Sequence, residues 1–119
     1  MPHSPQGVHK KILGKAGEKL VEKYLIQKGA KILKRNYITP FGEADLIATL
    51  GDEVLFVEVK TRASNTFGAP KDAVTKQKRD RYVRIAKYYG AVHGGEPNAR
   101  FDVAEVFDDG RIDYIENAF

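Results

Sequence analysis

Apolar residues recur along this chain with two different periods. From Val8 the spacing is helical: Leu13, Ala16, Gly17, Leu20, Val21, Tyr24 and Leu25 fall on one stripe at ~100° per residue, and Gly29 follows as a stop signal. Lys31–Tyr37 is a weaker strand candidate, interrupted by charges, and Thr39-Pro40-Phe41-Gly42 reads as a turn. Glu43–Leu50 and Val54–Thr61 are strand runs joined through Gly51-Asp52, a hairpin signal. A polar loop over Arg62–Pro70 leads to a second helix, Lys71–Tyr89, stopped by Gly90. After a loop over Ala91–Asn98, Arg100–Phe107 and Arg111–Ile115 form a second hairpin around Asp108-Asp109-Gly110. The order αβββαββ predicts an α/β fold, a mixed central sheet flanked by helices, because the second helix crosses from one strand to another. Residues 1–7, with two Pro, a Gly and a Ser, read as a loose end, and residues 8–119 as one domain.

Composition narrows the function classes. A chain of 119 residues, 42% hydrophobic and 30% charged, is a folded protein of one domain. The absence of Cys excludes disulfides, zinc–thiolate and iron–sulfur sites and a Cys nucleophile. No apolar run approaches the ~18 residues of a membrane span, and the N-terminus lacks the apolar stretch of a signal peptide, so the expected location is the cytoplasm. His3, His9 and His93 show no ligand spacing. The charge is segregated. Residues 1–40 carry nine Lys/Arg against Glu18 and Glu22, and residues 71–87 carry seven against Asp72 and Asp80. Between them, residues 41–60 hold five acids and one Lys. Two basic segments around a small acidic one fit a polyanion partner, although Lys-rich helix faces are also commonly just solvated.

The acidic segment carries the candidate chemistry. Strand alternation puts Phe56, Glu58 and Lys60 on one face of an otherwise apolar run, where a carboxylate and an ammonium are costly unless paired or bound. A turn at Gly51-Asp52 sets Asp45 opposite Glu58 and Glu43 opposite Lys60. Directly opposed carboxylates repel, and a divalent cation would turn that repulsion into ligation. The same pattern also fits a plain Glu58–Lys60 ion pair on a wet sheet face. In the second helix Val74, Tyr82, Ile85 and Tyr89 form the apolar stripe, with Gln77, Lys78 and Arg81 inside the same arc. Those polar groups either hold phosphate over the site or extend past the sheet edge into water.

The runs Phe41-Gly42-Glu43-Ala44-Asp45-Leu46-Ile47 and Phe56-Val57-Glu58-Val59-Lys60-Thr61-Arg62 resemble the PD-(D/E)XK motif of restriction-endonuclease-like nucleases. More narrowly, the chain resembles the YraN-type family of small bacterial proteins. Gly14, Gly17-Glu18, Tyr24-Leu25, Gly29 and Asn36-Tyr37 fit that family, as do Phe67-Gly68, Lys76 and Arg100-Phe101-Asp102-Val103, so the likeness runs from Gly14 to Phe107. The Pro of the motif name is absent, Ala44 standing before Asp45. The resemblance implies a restriction-endonuclease-like fold and a metal-dependent endonuclease hydrolysing phosphodiesters. Asp45 and Glu58 would ligate Mg²⁺ or Mn²⁺, and Lys60 would position water or stabilise charge on the scissile phosphate. Glu18 matches a further ligand of the archaeal Holliday-junction-resolvase-like branch, and also reads as an exposed helix acid beside the apolar stripe. Glu43 is an auxiliary acid, and Lys76, Gln77, Lys78, Arg81 and Arg62 are candidate nucleic-acid contacts. The implied partner is nucleic acid, DNA before RNA and branched DNA among the candidates, with a homodimer as in resolvase-like relatives. The alternative is a non-catalytic nucleic-acid-binding or protein-interaction module on the same fold. Asp102 carries no assigned chemistry and reads as a buried hydrogen-bond acceptor.

Overall fold

The computed structural model describes residues 6–62 and 75–119, with side chains from Lys15 onward. Helix α1 (Gln6–Gln27) leads to strands β1 (Lys31–Thr39), β2 (Gly42–Leu50) and β3 (Glu53–Arg62), then to helix α2 (Lys76–His93) and strands β4 (Ala99–Phe107) and β5 (Ile112–Ile115). The five strands form one sheet in the order β1-β2-β3-β4-β5. All neighbours are antiparallel except β3 and β4, which run parallel because α2 carries the chain across between them. The expected mixed α/β sheet is therefore present in the expected element order.

Each sheet face has its own core, fixed by strand alternation. Leu46, Ala48, Leu55, Val57, Ala104 and Val106 pack under Val21 and Leu25 of α1. Ile47 and Phe56 pack on the other face under Tyr82, Ile85 and Ala86 of α2. Burying a side chain of this size stabilises by about 1.5–3 kcal/mol, so these two seams fix both helices on the sheet. Gly17 brings α1 close: a Cβ there would meet Thr61 Cγ2 at 2.9 Å. Ala16, expected on the buried stripe, is exposed.

The second helix differs from its expected bounds. It starts after Thr75, whose side chain accepts the Lys78 N–H at 3.1 Å as an N-cap. It passes through Gly90 to His93 and ends at Gly94, which takes the left-handed conformation at φ 89°. Gly90 serves packing instead of termination, since a Cβ there would lie 2.7 Å from the Gly95 carbonyl oxygen. Arg62, expected to open the polar loop, ends β3, and Gln6 and Gly7 of the expected loose end belong to α1; the rest of that loop with Phe67-Gly68, the helix start at Lys71 with Val74, and residues 1–5 lie outside the described residues. Among the described residues, no helix is long and apolar enough to cross a membrane.

Candidate functional site

The β2–β3 ladder has the register read from the Gly51-Asp52 turn. It pairs Leu50 with Glu53 and continues to Leu46 with Val57, where it stops. One residue further, Asp45 makes a different bond: its Oδ2 accepts the Val59 N–H at 2.8 Å. On the opposite edge, β1 pairs Arg35 with Leu46 and Tyr37 with Ala44, and Asn36 between them is held at φ 50°. Alternation breaks at the same place, since Ala44 packs on the α2 face while Leu46 faces α1. The sheet thus opens at Asp45, the position where motif and fold meet. Glu43 pairs with Ile38 of β1, and no ladder pair joins it to Lys60 as the hairpin register implied. The strands have already parted there.

Carboxylates gather at this opening. Burial pushes the Asp45 carboxyl up to about 6, the Val59 N–H opposes that, and the charges of Glu18, Glu58 and Glu43 push it further up. Glu18, on the α1 side, is raised by partial burial and then by Glu43 and Glu22, while a hydrogen bond with the Asn36 side chain and the charge of Lys15 hold it down. Glu18 is therefore neither a fully exposed helix acid nor remote from Asp45. Gly17 explains the placement, because it lets the first helix sit close enough to the sheet for the next side chain to reach the opening.

Glu58 is buried and faces α2. Lys78 Nζ lies 2.5 Å from its Oε2, and an Arg81 nitrogen lies 3.7 Å from its Oε1. Among the described residues Lys78 is the sole partner of Oε2. The pairing of Glu58 with Lys60 does not occur. Lys60 is half-buried and has no ion pair among the described residues. Lys78 and Arg81, two expected phosphate contacts, thus stand at the site itself. Lys76 and Gln77 are exposed at the start of α2. Gln77 and Arg81 line a groove of about 530 Å³ with Phe41 and Arg84. Arg62 pairs through its Nε with the fully buried Glu105.

Two features lie beyond what the sequence pattern shows. Tyr82, read as plain core, is fully buried, and its hydroxyl has no hydrogen-bond partner. Burial and the charges of Glu58 and Asp45 raise it far above an ordinary phenol. A second groove, of about 560 Å³, lies between α1 and β1, with Lys15, Lys19 and Lys23 along it and Glu18 and Asn36 in its wall. The signal for it was the run of Lys at every fourth residue on one helix face. Asp102 is the buried acceptor expected of it, taking bonds from Arg100 at 2.9 and 3.1 Å, from the Tyr114 hydroxyl at 2.6 Å and from the Asn117 N–H at 3.0 Å. Every contact it makes is internal, which marks it as structural.

No three Asp, Glu or His side chains among the described residues form a ready-made metal cage. The donor set still fits a hard divalent ion. Carboxylate oxygens with waters are what Mg²⁺ and Mn²⁺ accept, and Asp45 and Glu58 are crowded like charges. The ammonium of Lys78 stands at Glu58 where such an ion would bring its charge.

The fold is similar to that of a solved Holliday junction resolvase. The structure of Hjc from Archaeoglobus fulgidus, a Holliday junction resolvase, matches with a TM-score of 0.57 over 83% of this chain and 72% of that one, at 20% identity. Sequence relatives are nearer. A UPF0102 protein of Thermodesulfovibrio yellowstonii is 46% identical over 107 residues, covering 90% of this chain and 95% of that protein. Another, from Clostridioides difficile, is 44% identical over 108 residues, covering 89% and 95%. The sequence model of the uncharacterised protein family UPF0102, the YraN-type family, matches residues 17–106. By that match and these relatives, the chain belongs to the UPF0102 family and carries a resolvase-like, mixed α/β fold.

Proposed function

We propose that this protein is a divalent-cation-dependent endonuclease that hydrolyses phosphodiester bonds in DNA. The observation that carries the reading is Asp45, half-buried and accepting the Val59 N–H where the β2–β3 ladder ends, with Glu18, Glu58 and Glu43 as its acidic neighbours. A folded protein keeps such repulsion where something bound relieves it. Asp45 and Glu58 would hold Mg²⁺ or Mn²⁺, with Glu18 as a further ligand and Glu43 adding negative charge nearby. When bound, the ion supplies water activation and neutralises charge on the phosphate. Lys60, on the Glu58 side of β3 and without an ion pair among the described residues, orients the attacking water and steadies the developing charge. With an ion at Asp45 and Glu58, Lys78 and Arg81 would be released from Glu58 to contact the phosphate, and Lys76 and Gln77 would extend that contact along the strand. Arg62 keeps its structural pairing with Glu105.

The Archaeoglobus protein is titled a Holliday junction resolvase. A four-way DNA junction is therefore the first substrate to try, and a homodimer acting in the cytoplasm the first assembly. One observation favours a second reading. Glu58 is already neutralised by Lys78 and no three-ligand cage exists among the described residues, as in a module that binds nucleic acid without cutting it. A cleavage screen separates the two: linear duplex, single-stranded and four-way junction DNA, and an RNA duplex, each with Mg²⁺, with Mn²⁺ and with chelator. Metal-dependent products support the nuclease. Binding without products in any condition supports the module.

A further inference from the structure

Among the described residues the Tyr82 hydroxyl is buried with no hydrogen-bond partner, and Glu58 Oε2, buried as well, is held by the Lys78 ammonium alone. One is an acceptor and the other a donor. They also act on each other, since Glu58 is the strongest of the charges felt by the Tyr82 hydroxyl, ahead of Asp45. A buried hydroxyl left unpaired opposes folding, so a spare donor beside a carboxylate held by a single ammonium calls for an explanation in function.

The Tyr82 ring has little freedom to turn its hydroxyl elsewhere. It packs edge-on against Phe119 at 5.0 Å and Phe101 at 6.4 Å, and the Arg81 guanidinium lies 5.9 Å from its centre. Tyr82 stands one helical turn after Lys78, so both approach Glu58 from the same stretch of α2. Lys78 holds Oε2. Glu58 therefore has two alternative partners on one helix, and only one is engaged.

We propose that Tyr82 is a positioning residue for Glu58: when a divalent cation displaces the Lys78 ammonium, the Tyr82 O–H donates to Glu58 Oε2 and fixes the carboxylate toward the ion and Asp45. This rests on the reading of Asp45 and Glu58 as metal ligands. It assigns Tyr82 a role that a core aromatic does not have, and it assigns Lys78 the place-holder's role in the metal-free protein. Outer partners that orient a ligating carboxylate typically change metal affinity by about 10–100-fold.

The test is Tyr82→Phe, which keeps the ring packing and removes the hydroxyl. Metal-free melting temperature and calorimetric Mn²⁺ affinity are measured on the full chain. The expected result is a metal-free protein at least as stable as the wild type and an Mn²⁺ affinity weaker by at least about tenfold. Lys78→Gln, which removes the competing ammonium, should bind Mn²⁺ more tightly than the wild type, and adding Tyr82→Phe to it should again weaken affinity about tenfold. Equal Mn²⁺ affinity in Tyr82→Phe and wild type overturns the positioning role while leaving the carboxylate site intact. A marked loss of metal-free stability in Tyr82→Phe overturns it as well, because the hydroxyl would then have a structural partner. A wild type that binds no Mn²⁺ overturns the reading of Asp45 and Glu58, and the role of Tyr82 with it.

Discussion

Replacing Asp45 by Asn should stabilise the metal-free protein. The side chain keeps its shape, and an amide oxygen can still accept the Val59 N–H. What it loses is a charge that the fold opposes. The carboxyl ordinarily titrates near 3.8 and here is pushed up to about 6, chiefly by burial. Each tenfold difference in proton affinity is worth ~1.4 kcal/mol, so holding Asp45 ionised opposes folding by up to about 3 kcal/mol. Partial exposure to water screens the group, and the expected gain is about 1–3 kcal/mol, or roughly 3–6 °C of melting temperature per kcal/mol for a chain of this size. The sign with pH follows from the raised value. The folded state holds this proton more tightly than the unfolded state, so the wild type suffers no penalty below the ordinary value of 3.8 and the full penalty above about 6. Thermal unfolding of both proteins in chelator, from about pH 4 to about pH 8, should show the Asn variant ahead at neutral pH and the difference closing toward acid. A variant less stable than the wild type at neutral pH, or a gain independent of pH, would refute the electrostatic account of the opening.

Glu58→Gln should move stability the other way. It leaves the mostly buried Lys78 ammonium without its carboxylate, and thermal unfolding in chelator should register a loss of about 1–3 kcal/mol. Asp102→Asn removes the one fully buried carboxylate of the three around Arg100, the others being Glu53 and Glu116, and denaturant titration should show a loss of about 1–3 kcal/mol at any metal concentration. If basic residues of α1 and α2 together contact about three phosphates, affinity for a duplex should fall roughly 40-fold between about 50 and 200 mM salt. Reversing Lys19 and Lys23 in the α1 groove should flatten that dependence in a fluorescence anisotropy titration.

The sheet was legible because its signals are local and periodic. The Gly51-Asp52 turn fixed the β2–β3 register, and with it the neighbourhood of Asp45 and Glu58. Alternation also assigned Phe56 and Glu58 to one face, and the crossover through the second helix implied the parallel β3–β4 pair. What local pattern could not carry was the break in the pattern. Asn36 at positive φ and the Asp45–Val59 bond end the ladder one pair before Asp45. Register arithmetic, blind to that break, carried Glu43 on to Lys60. Gly90 reads as a helix stop in sequence, yet only tertiary packing against Gly95 shows why glycine is needed there. Partner choice was likewise hidden. Glu58 and Lys60 share a face, so a pair two residues apart was the economical reading, whereas packing of α2 delivers Lys78 to the same carboxylate. The Tyr82 hydroxyl was invisible for the opposite reason: an aromatic on an apolar stripe satisfies the core pattern whether or not its oxygen is paired.

The central claim is that the Asp45–Glu58 opening cuts phosphodiesters. Its most direct test is a cleavage assay in which wild type and Asp45→Asn, in excess over a labelled four-way junction and a labelled linear duplex, are compared with Mn²⁺ and with chelator, while binding is measured on the same samples. The account predicts that the wild type cuts at least one of these DNAs only when Mn²⁺ is present, and that the Asn variant binds them as well without cutting. Cleavage that persists in the Asn variant, or a wild type that binds DNA and leaves it intact in Mn²⁺, would contradict it.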